Sequence, residues 1–196
     1  LITQKLMQSL NAAAQKHGKM IIVDPKGLDF EKYAGASLMT PNQKETALAA
    51  GVDIVDHKTL SKAARRLIKK TGIEKMLVTC GKEGMVYFEG HEPPYRISTK
   101  ARQVFDVSGA GDTVLAVLGL GIAAGYAIKE AVALSNTAAG IVVGKVGTAT
   151  VSNTELAAAL NLLPAHSLYK QKTLSEVASV ARNLEKNCKH KVLTKL

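Results

Sequence analysis

The sequence predicts an α/β fold in which helices pack on a largely parallel sheet, and three observations predict it. Short apolar runs of strand length alternate with longer stretches whose apolar residues recur at helical spacing. A glycine-rich octet at 106–113 opens an apolar run long enough for a helix. Small residues are plentiful, with 16 glycines and no tryptophan in 196 residues, which suits close approach of helix to sheet.

Residues 2–17 place Leu6, Leu10 and Ala13 or Ala14 on one helical face, and Gly18 ends that helix. The apolar run 20–23 predicts a buried strand, followed by a turn at Asp24-Pro25-Lys26-Gly27. A second strand is expected at 36–39. Asn42 then caps a helix that runs to Gly51. Residues 58–71 form a strongly amphipathic helix closed by Gly72. Strands follow at 75–79, 84–88 and 95–98, with Gly90 and Pro93-Pro94 between the last two. The octet opens a helix reaching Gly125, a second helix at 128–143 packs beside it, and a short one covers 154–160. There is no internal repeat.

Apolar residues make up 46% and charged residues 21%, which fits an ordinary globular domain. The glycine-interrupted apolar stretches at 114–122 and 138–143 are too short to span a bilayer. No early run resembles a signal peptide. Cys80 and Cys188 lack metal-ligand spacing, and Cys80 lies where a buried strand is expected, so inert packing in a reducing cytoplasm is the reading. The net charge of +10 raises a nucleic-acid partner. Its distribution argues against one. Lys170, Lys172, Arg182, Lys186, Lys189, Lys191 and Lys195 lie in the tail, others line the helix face of Lys62, Arg65, Arg66, Lys69 and Lys70, and no aromatic residues interleave with them to stack bases. None of the five histidines pairs with a serine or carboxylate at a catalytic spacing.

The chemistry-bearing signal is Asp106-Val107-Ser108-Gly109-Ala110-Gly111-Asp112-Thr113. Small residues strip side chains from a turn, so backbone N–H groups can face an anion at a helix N-terminus, where the dipole also favours negative charge. Asp112 in the first turn beside that hole can take a proton from a hydroxyl as it attacks a phosphoryl group. Gly109, Ala110 and Gly111 would stabilise the charge that develops. A capped helix behind a tight turn is the plainer alternative.

The octet resembles the signature of PfkB/ribokinase-type carbohydrate kinases, although Val117 replaces the small residue common there. A narrower likeness joins VDPKGLDFEKYAGASLMTPNQKE, VTCGKEGM, DVSGAGDTVLAVLGLGIAAG and SNTAAGIVVGKVGTATVS to the kinase domain of bacterial bifunctional heptose-7-phosphate kinase/ADP-heptose synthases. The resemblance implies the C-terminal part of a ribokinase-like three-layer fold over 1–163. Residues 164–196, with a helix at 174–187 and a strand-like 191–194, are similar to an interdomain linker and the start of a nucleotidyltransferase domain. It implies ATP and Mg²⁺ as cofactors, a phosphorylated heptose as substrate and a homodimer in the full-length enzyme. Within it, Asn42-Gln43-Lys44-Glu45 matches an N-x-x-E motif in which Asn42 contacts ATP phosphates and Glu45 holds Mg²⁺ through water. Thr79, Gly81 and Gly84 resemble a nucleotide-side loop; a plain strand-to-strand turn is the other reading. Asn136 would stand near the adenine, or else satisfy a buried neighbour. Asp106 and Ser108, with carbonyls of the 144–150 loop, resemble residues around a monovalent cation such as K⁺. Lys26 is either a phosphate ligand or a surface lysine.

The resemblance further implies that the sugar-binding strands, a glycine pair over the substrate and a β-lid belong to a segment ahead of Leu1. The chain is therefore expected to be an incomplete part of its enzyme. Another PfkB-type sugar kinase and a non-catalytic nucleotide-binding remnant are the competing readings.

Overall fold

The structure, a computed structural model, describes residues 2–99 and 106–162. The expected helix at 174–187 and strand at 191–194 lie outside the described residues, as does Cys188. The chain divides into two compact units, Leu1–Leu156 and Ala157–Leu196, and the architecture below is that of the first.

The elements follow in the order α1 (Gln4–Lys16), β1 (Ile22–Val23), β2 (Leu38–Met39), α2 (Gln43–Ala50), α3 (His57–Thr71), β3 (Lys75–Thr79), β4 (Met85–Glu89), β5 (Tyr95–Ile97), α4 (Ala110–Ala123), α5 (Ile128–Val142) and α6 (Asn153–Ala159). The helix ends obey the local chemistry of the sequence. Thr3 caps α1, and Asn42 and Asp56 form capping boxes at α2 and α3. Gly51 and Gly72 close those two helices in left-handed backbone, at φ 60° and 70°. Both early strands are shorter than the apolar runs that announced them. The Ile21 amide is taken by the Ser37 hydroxyl at 3.0 Å, and the Ala36 amide turns back to the Tyr33 carbonyl at 3.1 Å, so neither enters the ladder.

The sheet runs β1-β2-β3-β4-β5 in sequence order. It is mixed. β1, β2 and β3 pair in parallel, whereas β3/β4 and β4/β5 are antiparallel. The reason is connection length. Helices α2 and α3 supply a crossover between β2 and β3, but only the turn from Cys80 to Gly84 joins β3 to β4, too little chain for a parallel return.

Alternation along the strands sorts side chains into two cores. Met39, Met76, Val78, Val86 and Phe88 join Met7, Leu60, Ala63, Ala64 and Leu67 from α1 and α3 on one face. Leu38, Leu77, Met85 and Tyr87 join Val114 and Leu118 of α4 and Ala131, Val132 and Ala139 of α5 on the other. Helices thus cover both faces and the three layers expected are present. Each fully buried Leu, Met or Phe contributes about 1.5–3 kcal/mol relative to exposure. Helices α4 and α5 meet at small residues: a Cβ on Gly121 would stand 2.9 Å from that of Ala131. Among the described residues, no helix is long and apolar enough to cross a membrane. Cys80 is buried, and burial pushes its thiol up to about 11, which leaves it protonated and inert, as its strand-end position suggested.

Two glycines of the β3–β4 turn should respond differently to substitution. Gly84 has φ 91°, and an added Cβ would overlap the Ile97 carbonyl oxygen and the Thr99 amide. Gly81 has φ 57° and open space around it. In urea unfolding, Gly84→Ala is expected to cost about 2–4 kcal/mol, and Gly81→Ala only about 1. Equal costs would contradict the packing of β5 on this turn.

Candidate functional site

Three groups of residues gather at element ends. The first forms where β1, β2 and β3 finish, the side of a parallel sheet where ligands bind in open α/β folds. The Asn42 side chain accepts from the Glu45 amide at 2.8 Å, and the Glu45 carboxylate (Oε2) accepts from the Asn42 amide at 2.8 Å. This box fixes the start of α2. It is tied to β3 because Asn42 bridges Thr79 and the Thr79 amide donates to the Pro41 carbonyl at 3.0 Å. The four-residue motif and Thr79 are therefore neighbours. Gln43 is half-buried and Lys44 exposed in the same helical turn.

The turn after β1 adds two charged residues. Lys26 Nζ lies 2.8 Å from Asp24 Oδ2 and 3.6 Å from Glu45 Oε1. Its hydrogen bond to Asp24 raises the Lys26 ammonium above its usual range, against the opposing effect of partial burial. Sequence reasoning left Lys26 undecided and passed over Asp24. Their signal was the charged pair in Asp24-Pro25-Lys26-Gly27 directly after a strand, which gains meaning only when β1 is laid beside β2.

The second group joins β4, β5 and α5. Gly84 is buried against Ile97–Thr99, and the Asn136 side chain donates to the Ser98 carbonyl at 3.0 Å. Asn136 is 5% exposed, so the structure gives it a definite structural task. Of the two readings of the sequence, this bond is the one that satisfies a buried neighbour. Gly81 is exposed at the apex of the turn.

The third group is the octet. Gly109 sits at φ 77° and caps α4 with its backbone. The first intrahelical bond runs from the Thr113 amide to the Gly109 carbonyl at 3.0 Å, so the amides ahead of it point out of the helix end. The Ala110 amide is partly spent on the Val107 carbonyl at 3.3 Å, which leaves Gly111 and its neighbours as the better anion donors. Asp112 is exposed in the first turn, within the favourable end of the dipole for a carboxylate.

The loop at 144–150 lies against this turn. Asp106 donates its amide to the Val143 carbonyl at 3.4 Å, and Thr148 Cγ2 would stand 3.1 Å from a Cβ on Gly109. The Asp106 carboxylate accepts from the Ser108 amide at 2.8 Å, and that bond, with a weaker one from the Gly147 amide, holds it below the usual carboxylate range. Asp106, bonded to Ser108, thus also meets the loop at Gly147. The loop is stapled by Lys145, whose ammonium donates to the Thr150 carbonyl at 2.7 Å and pairs with Glu155 at 2.6 Å. Lys145, then the Ser152 amide and hydroxyl, bring Glu155 down to about 2. Sequence reasoning missed this staple, because nothing in the spacing of Lys145 and Glu155 marks them as partners.

Among the described residues there is no cluster of three or more His, Cys, Asp or Glu side chains able to hold a metal. A cation bound mainly by phosphates and water needs only one or two carboxylates, and Glu45 and Asp24 meet that need.

The chain is similar to known proteins in sequence and in fold. The chain is 51% identical over 194 residues to Bifunctional protein HldE of Desulfatibacillum aliphaticivorans, covering 99% of this chain and 40% of that relative. It is 48% identical over 156 residues to the HldE of Syntrophotalea carbinolica, covering 80% and 32%. The chain thus spans well under half the length of these relatives. In fold it is similar to Arabidopsis thaliana ribokinase complexed with ribose and ATP (TM-score 0.72, 24% identity, 80% of this chain and 52% of that one). It is also similar to Escherichia coli phosphofructokinase-2 in complex with potassium (TM-score 0.70, 21% identity, 82% and 53%). The family model for pfkB family carbohydrate kinases matches residues 2–155, nearly the whole of the unit that carries the three groups, and the chain belongs to that family.

Proposed function

We propose that this chain carries the nucleotide-side and catalytic-base part of a kinase that moves the γ-phosphoryl group of ATP to the anomeric hydroxyl of heptose 7-phosphate. The product would be heptose 1,7-bisphosphate, on the route to ADP-heptose and the lipopolysaccharide core, in the cytoplasm. The observation that carries the reading is Asp112, exposed in the first turn of α4 directly after the left-handed Gly109. The likeness to HldE proteins over 99% of the chain supports the choice of a heptose phosphate over other sugars.

Asp112 takes the proton from the attacking hydroxyl, and the amides of the Gly109-Ala110-Gly111 turn meet the charge on the transferring group. Asn42 faces the phosphates at the head of α2, with Gln43 and Lys44 beside it, and Glu45 offers Oε1 to Mg²⁺ or its water. When bound, Mg²⁺ neutralises phosphate charge. Thr79, Gly81 and Gly84 border the nucleotide along the β3–β4 turn, and Asn136 orders the β5 end next to it. K⁺ would sit between Asp106, Ser108 and the 144–150 loop, where the Thr150 carbonyl already carries the Lys145 ammonium. The full-length protein would be a homodimer in which residues 164–196 lead into a nucleotidyltransferase domain.

Asp112→Asn keeps the shape of the side chain and removes the base. In the full-length protein it is expected to lower kcat on heptose 7-phosphate by about 10²-fold or more while ATP affinity stays near normal. A coupled ADP-release assay measures this, and a kcat close to wild type would sink the base assignment.

Glu45→Gln retains an oxygen for the capping box and loses the charge. It is expected to raise the Mg²⁺ concentration needed for half-maximal activity severalfold, with little change in metal-free nucleotide binding. An unaltered Mg²⁺ titration would take Glu45 out of the site.

A further inference from the structure

The turn after β1 holds a cation where the proposed site needs one to move. We infer that the Lys26 ammonium is the resident counter-ion of the nucleotide site: it shares Glu45 Oε1 with the incoming divalent cation and, once displaced, binds the phosphates of the nucleotide. This rests on the kinase reading above and adds a residue which that reading leaves without a role.

The argument starts from the atoms of Glu45. One carboxylate oxygen, Oε2, is committed to the Asn42 amide by the capping box. The other, Oε1, is therefore the one free to meet a metal or its water, and it is the oxygen that faces Lys26 at 3.6 Å. Lysine and metal compete for the same atom. Without a metal, Asp24 and Glu45 are two like charges near each other, with side chains 25% and 21% exposed, and Lys26 neutralises one of them. Were Glu45 to hold a divalent ion, the Lys26 ammonium would be repelled from it and attracted to the nucleotide phosphates.

The fold fixes the base of the lysine and leaves its tip free. The Lys26 amide donates to the hydroxyl of buried Tyr33 at 3.0 Å. The Lys26 carbonyl accepts from Lys32 Nζ at 3.1 Å and from the Tyr33 hydroxyl at 3.4 Å. Gly27 follows at φ 84°. Tyr33 itself is locked edge-on against Phe30, with centroids 6.5 Å apart. The Lys26 side chain is nonetheless 71% exposed, and a four-carbon stem lets the ammonium swing from Glu45 toward a phosphate while its backbone stays in place. The head of α2, whose dipole favours an anion, lies beside it.

The test measures binding in the full-length protein. Mn²⁺ binding without nucleotide is followed by electron paramagnetic resonance, and ATP binding in EDTA by calorimetry. Lys26→Met is expected to tighten Mn²⁺ binding about threefold or more, because a competitor is gone, and to weaken metal-free ATP about tenfold. Lys26→Arg should keep most of the ATP affinity. Unchanged or weaker Mn²⁺ binding in Lys26→Met would overturn the competition, and unchanged metal-free ATP binding would overturn the phosphate role. A change confined to the affinity for heptose 7-phosphate would also overturn it, since the lysine would then serve the acceptor. Glu45→Gln is run in parallel. If it weakens Mn²⁺ binding while Lys26→Met is silent, only the Lys26 inference falls; if it too is silent, the metal reading of Glu45 falls and takes this inference with it.

Discussion

Everything in the described unit hangs on β3. Met76, Leu77 and Val78 are buried completely, and they point alternately into the two cores. A strand covered on both faces cannot shift by one residue without exchanging the two sets of side chains. That constraint fixes β2 beside it through Met39, fixes β4 through five register pairs, and so fixes what begins and ends at its C-terminal tip. Thr79, the Pro41 carbonyl and the start of α2 meet there because β3 holds its register.

The proposed site is built from backbone ends more than from dedicated side chains. Glu45 closes a helix cap with one oxygen and faces Lys26 with the other. Gly109 caps α4 in a conformation that an L-residue adopts only at a cost, and in doing so it clears the space in front of the helix end. Sites of this kind are stable before a ligand arrives, because the groups that bind also complete the fold. Lys26 and Asp112 are both exposed, and the proposed function would make them its moving parts: a swinging ammonium and a proton acceptor.

The loop at 144–150 shows how neighbouring parts support the octet. It contacts Asp106 and Gly109, and it is held from behind by the Lys145–Glu155 pair. Exposed ion pairs contribute little to global stability. Here the pair closes a short loop on itself through the Thr150 carbonyl, so its effect is local and falls on the position of the turn that carries Gly109.

Among the described residues, the sequence by itself determined the helices, the strand count and the octet. Helical spacing, capping residues such as Asn42 and closing glycines such as Gly72 act over a few residues, so their outcome is written locally. The motif at 42–45 was legible for the same reason: its reciprocal bonds join residues three apart. Strand ends were less legible, because Ile21 and Ala36 are apolar yet spend their amides on Ser37 and Tyr33 outside the ladder. Only the tertiary structure decided that Asn136 answers the Ser98 carbonyl, and that Lys26 and Asp24 stand beside Glu45. These depend on partners brought together from distant parts of the chain. Side-chain identity records what a residue can bond to; the packing of β1 against β2, and of α5 against β5, selects which of those bonds is made.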